Sequence, residues 1–391
     1  MKLYFADLHI HIGRTQSGKP VKITGAKSLM LSNILSAAKE PKGLDMIGII
    51  DCHVPEVIQE LEGLLEKGEL AELEGGGLRY EEEVTLIPGV EMEVYDENCQ
   101  GPIHLLGFFP DLHAMKAFSI WLEKRVKNIS LSTQRLYDTA INVQKKVREL
   151  GGLFIPAHVF TPFKSLYGKG VEHSLKEVLL PEMIDAIELG LSSDTSMAEK
   201  IEELQPYTFL TNSDAHSLGK IAREYQILKL ERPDFASLKK ALHSQEGHKV
   251  KANYGLNPLL GKYYGTTCAH CGAPKNGESC PECGSRQFIK GVSQRIKELS
   301  SEKEDYPERP PYIHQVPLDF LPGLGPKTMK KLLDEFYTEM NILHYASLEQ
   351  LTAVVKPNLA ELIVRSRTGD LQLEAGGGGK YGRISQKNGN Q

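Results

Sequence analysis

Histidines and carboxylates recur at short spacing along the first two thirds of the chain: Asp7-Leu8-His9-Ile10-His11, Asp51-Cys52-His53, Glu91-Met92-Glu93, His104, Ala157-His158 and Asp214-Ala215-His216. In an extended segment residues two apart project to the same side, so His9 with His11, or Asp51 with His53, can face one ion. A lone histidine is usually packed or solvated. Burying an unpaired carboxylate is costly, however, and here strand after strand offers such groups at the same relative place, which makes coincidence the weaker explanation. Mixed imidazole and carboxylate ligands suit divalent metals such as Zn, Mn, Fe or Mg, and this many ligands exceed one tetrahedral site, so two or three ions are expected. Ions held a few Å apart suit phosphate-ester hydrolysis, which needs no serine or cysteine nucleophile.

The groups must be positioned by the elements that carry them. Seven runs read as buried strands: residues 2–8, 46–51, 85–94, 103–109, 153–159, 186–189 and 209–213. Helical patterns at 28–40, 56–67, much of 113–150, 196–204 and 234–243 separate most of them, implying an α/β fold with a parallel sheet, open or closed into a barrel. The link 96–102 is too short for a crossover and predicts a hairpin, which brings His104 beside Glu91 and Glu93. The acidic run 66–83 reads as a solvated loop or helix face. In α/β folds the carboxyl ends of strands converge on one surface, where sites are built.

After residue 255 the style of the sequence changes. Cys268-x-x-Cys271 and Cys280-x-x-Cys283 supply two thiolate knuckles able to close a tetrahedron around one structural Zn, with His270 outside the ligand set and Cys52 and Cys99 as ordinary thiols. Residues 300–311 read as a charged, proline-containing linker. Leu321-Pro322-Gly323-Leu324-Gly325-Pro326-Lys327-Thr328 then predicts a tight turn opening a helix, where backbone amides favour an anion. That pattern resembles a helix-hairpin-helix, with Lys327 and Lys330 as charge partners for a DNA backbone; a second helical pair is expected over 347–367. Lys380 and Arg383 flank a glycine run within 375–382 that could follow a strand or hang free. Residues 315–320 loosely resemble a sliding-clamp peptide, although the apolar approach to the hairpin is the stronger reading.

With 391 residues and 40% hydrophobic content the chain should fold as two or three domains: 1–255 catalytic, 256–299 zinc ribbon, 300–311 linker and 312–391 helical. The net charge of −5 divides into −7 before residue 261 and +2 after it, so acid gathers where metal is expected. No apolar run approaches a membrane span and no signal pattern opens the chain, so a cytoplasmic protein with no membrane partner is expected.

The set His9-x-His11, Asp51 with His53, Glu91, His104, His158 and Asp214-x-His216 resembles the polymerase and histidinol phosphatase (PHP) family, whose fold is a distorted (β/α)7 barrel with a multinuclear metal site. The resemblance implies metal ligation by those residues, with His9, His11, Glu91 and Asp214 at the catalytic core. The family's second motif has Asp directly followed by His; here Cys52 intervenes, so either Asp51 or His53 is the ligand. A barrel followed by a zinc ribbon and a helix-hairpin-helix resembles the DNA-repair endonucleases of this family, as do Ala157–Pro162 with Ser165 and Gly168, Gly190–Asp194, Asn212–Ser217 and the terminal AGGGGKYG. That resemblance implies double- or single-stranded DNA with a damaged base (hypoxanthine, uracil or an abasic site) as partner and cleavage 5′ to the lesion. The loops 161–170 and 190–196 would then form a lesion pocket and phosphate clamp, with Lys164, Ser165, Tyr167 and Ser192 contributing and Gly323, Gly325, Lys327 and Lys330 gripping the backbone.

Overall fold

The computed structural model describes residues 1–301, 306–371, 373–374, 380 and 383–384. Seven strands form the ring: β1 (Lys2–Ile10), β2 (Met46–Ile49), β3 (Val84–Val94), β4 (Ile103–Phe108), β5 (Leu153–Pro156), β6 (Ala186–Leu189) and β7 (Thr208–Thr211). All seven expected strands are present. β1, β2 and β3 pair in parallel, β4 runs antiparallel between β3 and β5, and β6 pairs in parallel with β7. The ring closes irregularly. Between β5 and β6 the ties are Asp185 N–H to Phe154 O (3.0 Å) and Val159 N–H to Glu188 O (3.1 Å); between β7 and β1 they are Ala215 N–H to His9 O and His11 N–H to Ala215 O, both 3.1 Å. The result is a distorted (β/α)7 barrel. Ala6, Leu8, Met46, Ile87, Leu106, Phe108, Ile155, Ala186 and Leu210, drawn from every strand, meet in one buried cluster.

The hairpin between β3 and β4 is as expected and sets Glu93 opposite His104. Because β4 is reversed, its start lies on the same face as the carboxyl ends of the others, which is why His104 joins them. The acidic run 66–83 is not a loop or helix face: Leu70–Glu72 and Leu78–Tyr80 pair antiparallel and extend the sheet beyond β3, with Leu70 and Leu78 buried. The long helical region divides into Leu112–Glu123 and Ala140–Glu149, each started by a side-chain cap from Asp111 or Thr139.

Three further strands escaped the sequence reading. β8 (Tyr225–Leu230) pairs antiparallel with β1, and β9 (Lys249–Gly255) with β8; β10 (Tyr312–His314) then adds in parallel to β9. The expected linker 300–311 is corrected accordingly. Arg309 stacks 3.8 Å from the Phe209 ring centroid and donates to the carbonyls of Tyr207, Leu204 and Gln205, so its described part is pinned to the barrel. The helical module comprises Pro326–Phe336, Glu339–His344, Leu348–Val354 and Pro357–Ser366, two pairs as expected. Its apolar residues Leu332, Ile342, Leu351 and Ile363 belong to the same buried cluster as the outer layer of the barrel. The glycine run at 375–379 lies outside the described residues. Among the described residues no helix is long and apolar enough to cross a membrane.

Candidate metal centre and cleft

His9 lies in the last two residues of β1 and His11 directly follows the strand; both rings are fully buried. Each is oriented through Nδ1 by a buried carboxylate: Glu188 lies 2.8 Å from His9 Nδ1 and Asp51 lies 3.0 Å from His11 Nδ1. Both Nε2 atoms are left buried with no hydrogen-bond partner, the arrangement of a histidine aimed at an ion. Asp214 Oδ1 sits 3.5 Å from each of them. Ligand atoms about 2.1 Å from a tetrahedral ion would be spaced roughly 3.4 Å apart, so this triangle has the size of a metal site.

A second triangle adjoins it. Glu91 Oε1 lies 2.9 Å from His104 Nδ1 and 3.4 Å from His158 Nε2, with the two ring nitrogens 3.3 Å apart. Glu91 also faces the first set, Oε1 at 3.7 Å from His9 Nε2 and Oε2 at 3.5 Å from His11 Nε2, so one carboxylate spans both. The donor chemistry and the orphaned nitrogens fit divalent ions.

Electrostatics agree. Burial alone would lower the His9 pKa, but the carboxylates of Glu188, Asp214 and Glu91 override it and raise it to about 10. Burial likewise opposes ionisation of Glu91 and Asp214, yet His104 with Lys22, and His9, hold their carboxyls well below the usual range. Clustered carboxylates call for cations in their midst.

His53 and His216 complete neither triangle. His53 is buried with Nδ1 unpartnered, and His216 turns Nδ1 to the carbonyl of Asp214 at 3.0 Å. Of the second-motif pair, Asp51 is committed to His11 and to the Ile12 amide (2.7 Å), which makes it an orienting group in this arrangement. Three residues of the site were not singled out as site residues from the sequence. Glu188 is one; it also accepts from Asn212 Nδ2 and the His158 amide, both at 2.8 Å. Asn212 and Lys22 are the others, and the Lys22 ammonium lies 3.2 Å from Glu91 Oε2 and 2.7 Å from Thr133 Oγ1. A glutamate inside the apolar strand Ala186–Leu189 could have flagged the first.

The triangles lie at the base of a cleft of about 460 Å³ walled by Thr161, Phe163, Lys164, Gly190, Leu191 and Tyr263. Lys164 sits at its side with Nζ 2.7 Å from Glu93, and Ser192 lines it while accepting the Tyr263 amide at 3.3 Å. Ser165 and Tyr167 are corrected. Both are fully buried: Ser165 Oγ donates to the Val159 carbonyl (3.0 Å) and accepts the Gly168 amide, and the Tyr167 hydroxyl donates to Glu203 (2.8 Å). They brace the loop from beneath and face no ligand.

The four sulfurs of Cys268, Cys271, Cys280 and Cys283 lie within 4.8 Å of one another, Cys268 to Cys283 at 3.6 Å and Cys271 to Cys280 at 3.4 Å. Zn–S bonds of about 2.3 Å would space them roughly 3.8 Å apart, so a zinc ribbon with four thiolate ligands fits. Cys52 and Cys99 are buried thiols pushed up to about 12 by burial. Gly323 takes φ +86° in the expected turn and Gly325 caps the helix that begins at Pro326; Lys327 is exposed and Lys330 pairs with Asp334 at 2.8 Å. The sliding-clamp likeness is not sustained, because Gln315, Val316 and Leu318 are buried and Gln315 accepts from the Tyr225 hydroxyl at 2.7 Å.

No protein-family model matches the chain. It is 58% identical over 386 residues to YqxK, an uncharacterised protein of Bacillus subtilis, covering 98% of this chain and all of that one. Among solved structures it is similar to the lesion-specific endonuclease PfuEndoQ from Pyrococcus furiosus, with TM-score 0.84 and 31% identity, over 98% of this chain and 95% of that chain. It is also similar, at TM-score 0.83 and 30% identity over 98% and 96%, to an endonuclease Q in complex with a 27-mer duplex carrying an abasic lesion at the active site.

Proposed function

The chain belongs to the endonuclease Q family, and from that premise we propose that it is a metal-dependent DNA-repair endonuclease that hydrolyses the phosphodiester 5′ to a deaminated base or an abasic site, leaving a 3′-hydroxyl and a 5′-phosphate. The observation that carries this reading is the pair of ligand triangles sharing Glu91 at the base of one cleft. Divalent ions bound there would lower the pKa of a water and neutralise phosphate oxygens. His9, His11 and Asp214 would hold one ion, and Glu91, His104 and His158 another; a third ion would have to draw on His53 and His216.

The rest of the cleft suits a flipped nucleotide. A lesion that pairs poorly costs less to extrude, and the walls 161–164 and 190–192 can receive it. Ile23, 76% exposed at the rim, is placed to wedge into the gap left in the stack, and Phe163 with Tyr263 offers an aromatic edge. Lys164 and Ser192 are the candidate contacts within the pocket. The turn at Gly323 and Gly325, with Lys327 and Lys330, would grip the backbone without reading sequence.

The test is to incubate end-labelled duplexes carrying one hypoxanthine, uracil or abasic site with protein reconstituted in Mg, Mn or Zn, beside undamaged duplex. A single internal cut 5′ to the lesion is expected, with loss of cutting in Asp214→Asn. Trimming from ends, or free phosphate, would replace this reading with an exonuclease or phosphatase; binding without cutting would make the protein a non-catalytic binder.

A further inference from the structure

Lys22 sets a cation against Glu91, the carboxylate that spans both ligand sets. Its side chain is only 14% exposed, and its ammonium reaches Glu91 Oε2 at 3.2 Å and Thr133 Oγ1 at 2.7 Å while lining the cleft. The placement is held by the backbone. The Lys22 amide donates to Ile12 O and Val21 to Gly13 O, both 2.9 Å, and the Ser132 amide donates to Val21 O at 2.9 Å. Gly13 permits the loop to fold back this closely, since a Cβ there would lie 2.1 Å from the Ala26 carbonyl oxygen. The loop therefore fixes the lysine beside β1 and above the centre.

A counter-charge for Glu91 would be a sufficient role only while the centre lacked ions. Divalent ions held by these ligands would make an ammonium 3.2 Å from Glu91 redundant as a neutraliser and would repel it. Two of its three donors are used by the described contacts, and the residue lines the cleft. We infer that Lys22 binds a non-bridging oxygen of the scissile phosphate, adding a fixed positive charge on the side of Glu91 away from His104 and His158. Thr133, whose hydroxyl also donates to Glu91 Oε2 at 2.6 Å, holds the ammonium at that edge. This rests on the nuclease reading above. Lys164 is the weaker candidate for the role because its half-exposed side chain pairs with Glu93, which belongs to neither triangle, whereas Lys22 is held against Glu91 itself.

The experiment compares wild type, Lys22→Met and Lys22→Arg as metal-loaded full-length protein. It measures kcat and KM on an abasic duplex, the salt dependence of kcat/KM, bound metal by elemental analysis, and Tm. For Lys22→Met, kcat/KM should fall about 10²-fold. The log–log salt slope should become shallower by about 0.9, the value for one phosphate contact. Bound metal and Tm should match wild type, and Lys22→Arg should recover most of the rate. If Lys22→Met lost metal in step with activity, or kept the wild-type salt slope, Lys22 would serve Glu91 alone and the inference would fall. Failure of wild type to cut the duplex would instead overturn the nuclease reading, and this inference with it.

Discussion

At the scale of single residues, the centre depends on groups that need never touch an ion. Asp51 and Glu188 each fix one imidazole so that its far nitrogen faces the shared space, and Asp51 stays ionised, its pKa about 2, because His11 and Lys22 outweigh its burial. Neutralising either should loosen the histidine it aims. We expect Asp51→Asn and Glu188→Gln each to weaken metal binding by about 10- to 100-fold, read by competition with a chromophoric chelator. Wild-type affinity in both would show that the orientation of His9 and His11 does not depend on these partners.

At the scale of elements, the cleft is built from backbone that the chain adopts reluctantly. His158, Lys164, Thr133 and Asp214 have φ of +30°, +54°, +51° and +46°, a region costing about 1–3 kcal/mol per residue outside glycine. Neighbouring bonds impose it: Val159 N–H to Glu188 O, His104 N–H to Lys164 O at 2.9 Å, and Arg223 Nε–H to Ser213 O at 2.8 Å. The loop after β5 also needs Gly168, where a Cβ would lie 1.8 Å from the Thr161 carbonyl oxygen and 2.6 Å from Ser165 Oγ. Gly168→Ala should cost about 2 kcal/mol or more and lower Tm by roughly 5 °C, with a loss of lesion cutting. An unchanged Tm and rate would mean that the loop tolerates a shift the packing does not suggest.

At the scale of the whole molecule, the C-terminal third is built into the body. β10 extends the barrel's sheet, the Tyr225 hydroxyl lies 2.6 Å from His344 Nε2, and Lys42 bridges Glu339 (2.9 Å) and the Gly219 carbonyl (3.1 Å) near the loop that carries Asp214 and His216. From the helix Val292–Leu299, Arg295 donates to Tyr167 O (2.7 Å), Val171 O (3.0 Å) and Glu172 O (2.7 Å), and so braces the cleft loop. Ending the chain after residue 260 would strip these layers and expose apolar surface. Such a fragment should be insoluble or lack a cooperative thermal transition, beyond any loss of DNA binding. Lys327→Ala, in an exposed position, should stay folded and weaken binding to damaged and undamaged duplex alike, with a salt slope shallower by about 0.9 in titrations of labelled duplex. A selective loss for the lesion would place Lys327 in recognition instead.

The strand ends bearing His9, His11, Glu91, His104, His158 and Asp214 were legible in the sequence, because alternation along apolar strands and short carboxylate–imidazole spacings are local properties. The four-cysteine ribbon and the glycine turn were legible for the same reason. The hairpin also placed His104 beside Glu91 in advance, but that His158 joins them and that His9, His11 and Asp214 form the other triangle was not legible, since that depends on how seven strands tilt and close. Asp51 reads as a ligand by spacing and becomes an orienting group only because the fold sets it against His11 Nδ1. Glu188, Asn212 and Lys22 have roles that local spacing does not reveal, because their partners lie up to 204 residues away. Ser165 and Tyr167 look like loop contacts until packing turns them inward. Sequence determined the chemistry on offer; tertiary structure decided which atoms could meet, because distance and burial are properties of the closed barrel and not of the chain.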